Sequence, residues 1–229
     1  MNDTILMVDA VIFDLDGTLI DSIGAYFGLV EEVCCQLALS IPSHEVILEV
    51  ARSGDLHKIL PEEIIGGKDG VIDQAVTIIR ENFPRMFEDN VCLVPGAANI
   101  LEQLHAQGMK IGIVTSTHRR FIDGKMSPLR RAGVADLIGS VICIEDVVRF
   151  KPEPDPLLEC AVRLGVAAGR SVYIGDSYID IKAGKAAGMK TVGVLTGMDS
   201  YERLKEEEPD LMLGSVRELT DRIYKTGER

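Results

Sequence analysis

Short apolar runs recur along the chain at intervals a helix can fill. They are AVIF at 10–13, KIGIVT at 110–115, SVICI at 140–144, SVYIG at 171–175, TVGVL at 191–195 and the weaker DLMLG at 210–214. Each is continuous rather than alternating, the pattern of a parallel strand covered on both faces. Between them, Ala97, Ile100, Leu101 and Leu104 repeat at helical spacing and stop at Gly108. Leu157, Leu158, Ala161, Val162 and Leu164 do the same, with Pro156 in the first turn and Gly165 at the end. Strands alternating with helices predict βαβ crossovers, hence a Rossmann-like three-layer α/β core around a parallel sheet. Ligands of such sheets gather outside the carboxyl ends of the strands.

One segment breaks the rhythm. From Asp21 to about Asn90 no strand-like run occurs. Ile23, Tyr26, Phe27, Val30, Val33 and Leu37 mark one amphipathic helix, with Asp21 or Ser22 as its N-cap. Val46, Ile47 and Val50 mark a second after Ser43, and Val71, Ala75, Ile78 and Ile79 a third. The expected division is a core domain of 1–20 and 91–229 and a helical cap domain of 21–90, inserted as a lid over the end of the first strand. Arg52, Ser53 and Gly54 interrupt the helical pattern in VARSGDLHK, with His57 and Lys58 nearby.

The 46% apolar share of 229 residues suffices for a sizeable core, while 5% aromatics and no Trp argue against an aromatic-lined sugar or nucleic-acid surface. A formal charge of −12 argues against nucleic acid as a partner, since binding there rests on Lys and Arg neutralising phosphates. It also repels any anionic substrate, so a bound cation and a few local bases must overcome the average field. Cys34, Cys35, Cys92, Cys143 and Cys160 are odd in number, have no CxxC spacing and lie mostly in apolar stretches, which predicts buried, reduced thiols. The N-terminus MNDTILMVDAVIFD has no basic region of a signal peptide, and no apolar run reaches the ~20 residues that span a bilayer. A soluble, cytoplasmic protein without membrane partners is expected.

The stretch FDLDGTLIDS, 13–22, ends an apolar run with Asp14 and Asp16. A calcium loop opened by Asp14 needs Gly at its sixth and Glu at its twelfth position, where Leu19 and Ala25 stand. A turn or a catalytic carboxylate pair remains. Other polar clusters also fall where strands end. Thr115, Ser116 and Thr117 follow KIGIV, Lys151 follows SVICI within FKPEPDP, and Asp176 follows SVYIG within GDSYID, with Asp180 four residues on. Singly each has an ordinary reading: a turn, a solvated lysine, an N-cap at Asp176, a surface charge at Asp180. Together they converge on one rim of the sheet.

Such a set suits phosphoryl transfer. A carboxylate attacks phosphorus to give an aspartyl-phosphate, and a hard cation such as Mg²⁺ between two anions permits their approach. Asp14 and Asp176 are candidate ligands, Thr115 and Lys151 can hold the transferring group, and Asp16 can carry the proton. The residues alone leave open which Asp attacks.

FDLDGTLIDS, IVTS, FKPEPDP and GDSYID, in this order, resemble the four signatures of the haloacid dehalogenase-like phosphatases, and the likeness covers nearly the whole chain. The helical insert resembles that family's small α-helical cap. The resemblance implies that Asp14 is the nucleophile and Asp16 the general acid/base, with Asp16 also binding Mg²⁺ through its backbone carbonyl. It implies that Thr115 binds phosphate, Lys151 stabilises nucleophile and phosphoryl group, Asp176 ligates the metal, and Asp180 supports them from behind. Thr18 and Ser116 become candidate substrate contacts. Arg52 would face the site from the cap and clamp a second anionic group of the substrate.

The expected activity is Mg²⁺-dependent hydrolysis of a small phosphomonoester of the phosphoglycolate kind, through an aspartyl-phosphate. A phosphosugar mutase of the same family is the alternative; Thr18 leans against it, because related mutases often carry an aliphatic residue there. A phospho-accepting signalling domain is a third reading, against which stand Asp16 and the insert. Dehalogenase chemistry has no role for Asp16. A phosphonatase needs a cap lysine, for which Lys58 and Lys68 are the candidates.

Overall fold

The computed structural model describes residues 4–53 and 70–227. In chain order the strands are β1 Leu6–Val8, β2 Ala10–Phe13, β3 Ile20–Asp21, β4 Cys92–Leu93, β5 Lys110–Val114, β6 Ser140–Ile142, β7 Ser171–Gly175, β8 Lys190–Val194, β9 Leu211–Leu213 and β10 Ile223–Lys225. The helices are α1 Ile23–Gln36, α2 His44–Ser53, α3 Val71–Asn90, α4 Ala97–Ala106, α5 Ile122–Lys125, α6 Ser127–Arg131, α7 Asp155–Leu164, α8 Tyr178–Ala186 and α9 Tyr201–Glu206. Every apolar run read as a strand is one, within a residue or two at its ends.

Six strands form one sheet in the order β6-β5-β2-β7-β8-β9. All of its pairings are parallel, with Ala10 opposite both Lys110 and Ser171. Successive residues of β2 feed opposite faces. Val11 and Phe13 pack with Ile100, Leu101 and Leu104 of α4, whereas Ala10 and Ile12 pack with Leu157, Cys160, Ala161 and Leu164 of α7 and Ala183 of α8. Burial on both sides explains why these strands show no alternation in sequence. Chain order runs outward from β2 to β5 and β6, then returns through β7 to β8 and β9. The switch between the two directions, at the carboxyl ends of β2 and β7, opens the crevice in which sheets of this kind bind ligands.

Helices α1, α2 and α3 occupy the segment between β3 and β4. Their apolar faces, including Val33, Ile47, Ile79 and Phe87, join the same cluster as Phe13. Where the segment leaves and returns, β3 pairs antiparallel with β4, Ile20 opposite Leu93 and Asp21 opposite Cys92. The pattern marks no strand between Asp21 and about Asn90 and none at Cys92–Leu93, and a two-residue strand is too short for periodicity to mark. The parallel pair β1–β10 escapes it for a similar reason, each strand being three residues long.

Helix α2 runs through Arg52 to Ser53, so Arg52 stands in its last turn rather than in a loop that interrupts it. Gly54, His57, Lys58 and Lys68 lie outside the described residues. All five cysteines are free, but only Cys34, Cys143 and Cys160 are buried; Cys35 and Cys92 are exposed, against the expectation of buried thiols. No helix among the described residues is long and apolar enough to cross a membrane.

Candidate active site

Asp14 follows β2 directly, its backbone N–H donating to the Ile174 carbonyl at 2.8 Å, and Asp176 follows the neighbouring β7. The two chain ends meet because glycine lets them. Gly17 has φ +77°, and a Cβ there would stand 2.5 Å from an Asp176 oxygen. A Cβ at Gly175 would stand 2.4 Å from the Asp180 side chain. These are the glycines of DGT and GDS, and their role is close approach.

Three buried carboxylates, Asp14, Asp176 and Asp180, place one oxygen each within 4.8 Å of one another, a group that could hold a metal ion. Lys151, 2% exposed at its side chain, donates at 2.7 Å to Asp14 Oδ1 and at 2.7 Å to Asp180 Oδ1. Its ammonium also lies 3.1 Å from the Tyr173 hydroxyl, which is in turn 3.1 Å from Asp180 Oδ1. Asp180 Oδ2 accepts from the Ser177 N–H at 3.1 Å. Ser177, not Asp176, is therefore the N-cap of α8. Asp176 instead accepts from Thr18 Oγ1 at 3.0 Å and from the Met198 N–H at 2.7 Å.

The electrostatics follow from burial. Desolvation pushes Asp14 well above the usual carboxylate range; Lys151 opposes this, and Asp180, Asp176 and Asp16 reinforce it. Desolvation and the charge of Asp180 lift Asp176 to about 7. Burial disfavours the Lys151 ammonium, but Asp14 and Asp180 outweigh it and raise its pKa above the ordinary lysine value. Asp180 thus has a cationic partner. Asp176 is bonded only by neutral donors among the described residues, a buried carboxylate whose charge lacks a counterion.

Asp16 sits apart from the trio. Its Oδ1 accepts from Ser22 Oγ at 2.5 Å, its Oδ2 from Thr117 Oγ1 at 3.2 Å, and Lys125 Nζ reaches both oxygens at 2.7 Å. Ser22 is the N-cap residue of α1, but its hydroxyl serves Asp16 rather than the helix. Thr115 is buried, and its hydroxyl donates to Thr117 Oγ1 at 3.0 Å within its own loop. Ser116 lines the narrow cavity beside Asp14, Lys151 and Asp176, with Oγ 3.4 Å from the Ala51 carbonyl of α2.

Arg52 enters that cavity from α2. Its guanidinium pairs with Asp199 and, at 3.3 Å, with Glu49, and lies 5.9 Å from the centre of the Tyr178 ring. Its buried Nε has no hydrogen-bond partner among the described residues. Asp199 in turn accepts from the Tyr178 N–H at 2.6 Å.

Asp14, Asp16, Ser116, Lys151, Asp176, Asp180 and Arg52 line one cavity, with Thr18 bonded to Asp176 from behind and Thr115 held in its loop. Sequence reasoning missed Lys125, Tyr173, Thr117 and Asp199. Lys125 and Asp199 belong to no strand end, and Tyr173 reads as one more apolar residue of a buried strand. Thr117 is the exception, since its place in the loop after β5 was visible.

The family model for haloacid dehalogenase-like hydrolases matches residues 11–194. A phosphoglycolate phosphatase of Shigella sonnei is 33% identical over 233 residues, covering 93% of this chain and 91% of that protein. One from Escherichia coli K12 is 32% identical with the same coverage. Among solved structures, a Bacteroides fragilis protein provisionally described as a haloacid dehalogenase-like hydrolase superposes with a TM-score of 0.76 at 25% identity, over 93% of this chain and 99% of that one. The matched span takes in β2 from Val11 on, the helical segment, and Asp14, Asp16, Arg52, Ser116, Lys151, Asp176 and Asp180 of the cavity, and the chain belongs to the haloacid dehalogenase-like hydrolases.

Proposed function

We propose that this protein is a Mg²⁺-dependent phosphatase of a small phosphomonoester of the phosphoglycolate kind, working through an aspartyl-phosphate on Asp14. The observation that carries the reading is the buried trio Asp14, Asp176 and Asp180 with Lys151 bridging two of its members. The names of the curated relatives support the substrate class.

In this reading Asp14 attacks phosphorus while the ester P–O bond breaks, and Asp16 gives the leaving oxygen its proton. Asp16 then takes a proton from the water that attacks the phosphoryl group, releasing phosphate and restoring the Asp14 carboxylate. Lys151 favours the ionised form of Asp14 against the effect of burial and offers its charge to the phosphoryl oxygens. Ser116, and Thr115 once its hydroxyl turns away from Thr117, hold those oxygens. Thr18 fixes the rotamer of Asp176. Helices α1 to α3 act as the cap, with 21–90 inserted between the core parts 1–20 and 91–229.

The donor set suits a hard divalent cation. Among the described residues five carboxylates, of Asp14, Asp16, Asp176, Asp180 and Asp199, face three cations, of Lys125, Lys151 and Arg52. Asp14, Asp176 and the Asp16 backbone carbonyl would hold Mg²⁺, which when bound neutralises charge between the carboxylates and the phosphoryl group. Phosphate release is expected to fall to background in excess EDTA and to return with Mg²⁺. With Asp176 at about 7 when metal-free, protons compete with the ion. The Mg²⁺ concentration for half-maximal rate should therefore rise as pH falls from about 8 to about 6. Turnover that ignores EDTA would overturn the metal reading.

Arg52 selects the substrate by exchanging Asp199 for a second anionic group on it. Arg52→Ala should lower kcat/KM about 100-fold for a carboxylated phosphomonoester and less than about 3-fold for an aryl phosphate, the difference a lost charged hydrogen bond makes. Equal losses on both would remove that role. A phosphate-release screen over small phosphorylated metabolites with Mg²⁺ tests the function as a whole. A signalling domain would be silent there, and a mutase would give more isomerised product than free phosphate.

A further inference from the structure

Lys125 has no part in the steps above, yet it is the most deeply buried cation beside them. Its side chain has 0% exposure. A lysine is seldom removed from water so completely unless its ammonium is fully matched. Here Nζ meets Asp16 Oδ1 and Oδ2 at 2.7 Å each and the Tyr26 hydroxyl at 2.6 Å. It also lies over three aromatic faces, 4.5 Å from the Tyr26 ring centre, 5.1 Å from Phe87 and 5.8 Å from Phe83.

The origin of these groups is informative. Lys125 belongs to α5, which follows β5. Apart from Asp16, the groups that contact its ammonium among the described residues come from the inserted helices: Tyr26 from α1, Phe83 and Phe87 from α3. The rings are locked to one another, Phe83 stacked on Phe87 at 4.1 Å and Tyr26 edge-on to Phe87 at 5.1 Å. A shift of α1 or α3 therefore changes the surroundings of the ammonium, and Asp16 feels it through two direct contacts. With Ser22 and Thr117 also bonded, both Asp16 oxygens are occupied.

We propose that Lys125 is a positioning residue that sets the orientation of the Asp16 carboxylate and couples it to the place of the inserted helices. The proposal rests on the phosphatase reading for its kinetic consequences, because Asp16 carries the proton there. A lysine that merely balanced a buried charge would serve stability alone. A positioning lysine serves the steps that need Asp16 and leaves the attack by Asp14 on a good leaving group intact.

The two are separated by pre-steady-state kinetics of Lys125→Met with p-nitrophenyl phosphate and Mg²⁺. Aryl oxide departs without a proton, so the variant should show a stoichiometric burst of nitrophenol. A steady state about 100-fold below wild type should follow, water attack now lacking its base. Asp16→Asn should give the same signature, the double variant should lose nothing further, and Lys125→Arg should recover much of the rate. Burst and steady state falling together, additive losses, or an unchanged steady state would each overturn the proposal. Lys125→Gln, one bond shorter but still a donor and uncharged, replaces Lys125→Met should that variant not fold. A crystal structure of the variant provides an arm independent of activity. The Asp16 carboxylate should leave its Ser22 and Thr117 contacts, and a carboxylate found unmoved would overturn the proposal. A wild-type protein that releases no phosphate defeats the phosphatase reading, and the crystallographic arm then decides the positioning role alone.

Discussion

Replacing Asp14 with Asn is expected to remove phosphate release by a factor on the order of 10⁴ or more, the scale on which loss of a covalent nucleophile acts. The substitution is nearly isosteric. Its amide oxygen can still accept from Lys151, so the loss reports chemistry rather than collapse. The fold should be as stable as wild type or slightly more so, because burial and three neighbouring carboxylates already push the Asp14 carboxyl well above its usual range. Removing a charge held at such a cost relieves it. Phosphate release, melting temperature and fluorine NMR of the beryllofluoride adduct together check the assignment. Asp14→Asn should melt like wild type and show no adduct, whereas Asp16→Asn should keep the adduct while losing turnover. Near-normal turnover of Asp14→Asn, or an adduct that survives it and vanishes in Asp16→Asn, would assign the nucleophile elsewhere.

The layout of this site was largely written in short runs of sequence because its parts are local. A strand end fixes where the next side chain points, so Asp14, Asp176 and the loop after β5 could be placed from AVIF, SVYIG and KIGIV. A parallel sheet brings such ends together whatever lies between them. Lys151 was legible for the same reason, although nothing in FKPEPDP announces that its ammonium reaches both Asp14 and Asp180. What stayed hidden depends on packing between elements distant in the chain. Lys125 reads as an ordinary surface lysine after two arginines, and only the docking of α1 and α3 on α5 buries it against Asp16. Tyr26 and Phe87 read as core residues of amphipathic helices, which they are, and their second role as faces for a cation leaves no periodic trace. Ser53 and Gly54 read as breakers that put Arg52 in a loop, but the helix runs through the first of them and carries Arg52 in its last turn. Its pairing with Asp199 joins residues from two distant segments of the chain and has no local signature.

Lys151→Met should lower stability by about 3–5 kcal/mol near neutral pH, the scale for breaking a buried pair by removing one partner. Lys151 faces Asp14 and Asp180 at 2.7 Å each, with side chains 2% to 9% exposed, so water cannot replace it without rearrangement. Without the ammonium the two carboxylates must stay charged and unpaired or bind protons. Burial already raises the Asp14 carboxyl, and loss of Lys151 removes what holds it down. A carboxyl whose pKa is higher in the folded than in the unfolded chain stabilises the fold at low pH and loses that contribution as pH rises through the folded value. The gap in melting temperature between wild type and variant should therefore be smallest in the ordinary carboxyl range and widen as pH rises above it, toward the raised value of the Asp14 carboxyl. Across that window wild-type Lys151 stays charged, its own pKa being raised above the usual lysine value, so the slope belongs to the carboxyls. Excess Mg²⁺ should narrow the gap, because carboxylates that have lost the Lys151 charge attract the ion more strongly in the variant than in wild type and only the folded chain presents them together. It should not restore turnover, which ought to stay about 10²- to 10³-fold down because the phosphoryl group has lost its cation. Melting curves at several pH values, with and without Mg²⁺, and parallel phosphate-release assays separate the two effects. A variant that melts with wild type at every pH would mean that Lys151 does not hold the carboxylates together, and recovery of turnover along with stability in Mg²⁺ would mean that its charge serves the fold and not the phosphoryl group.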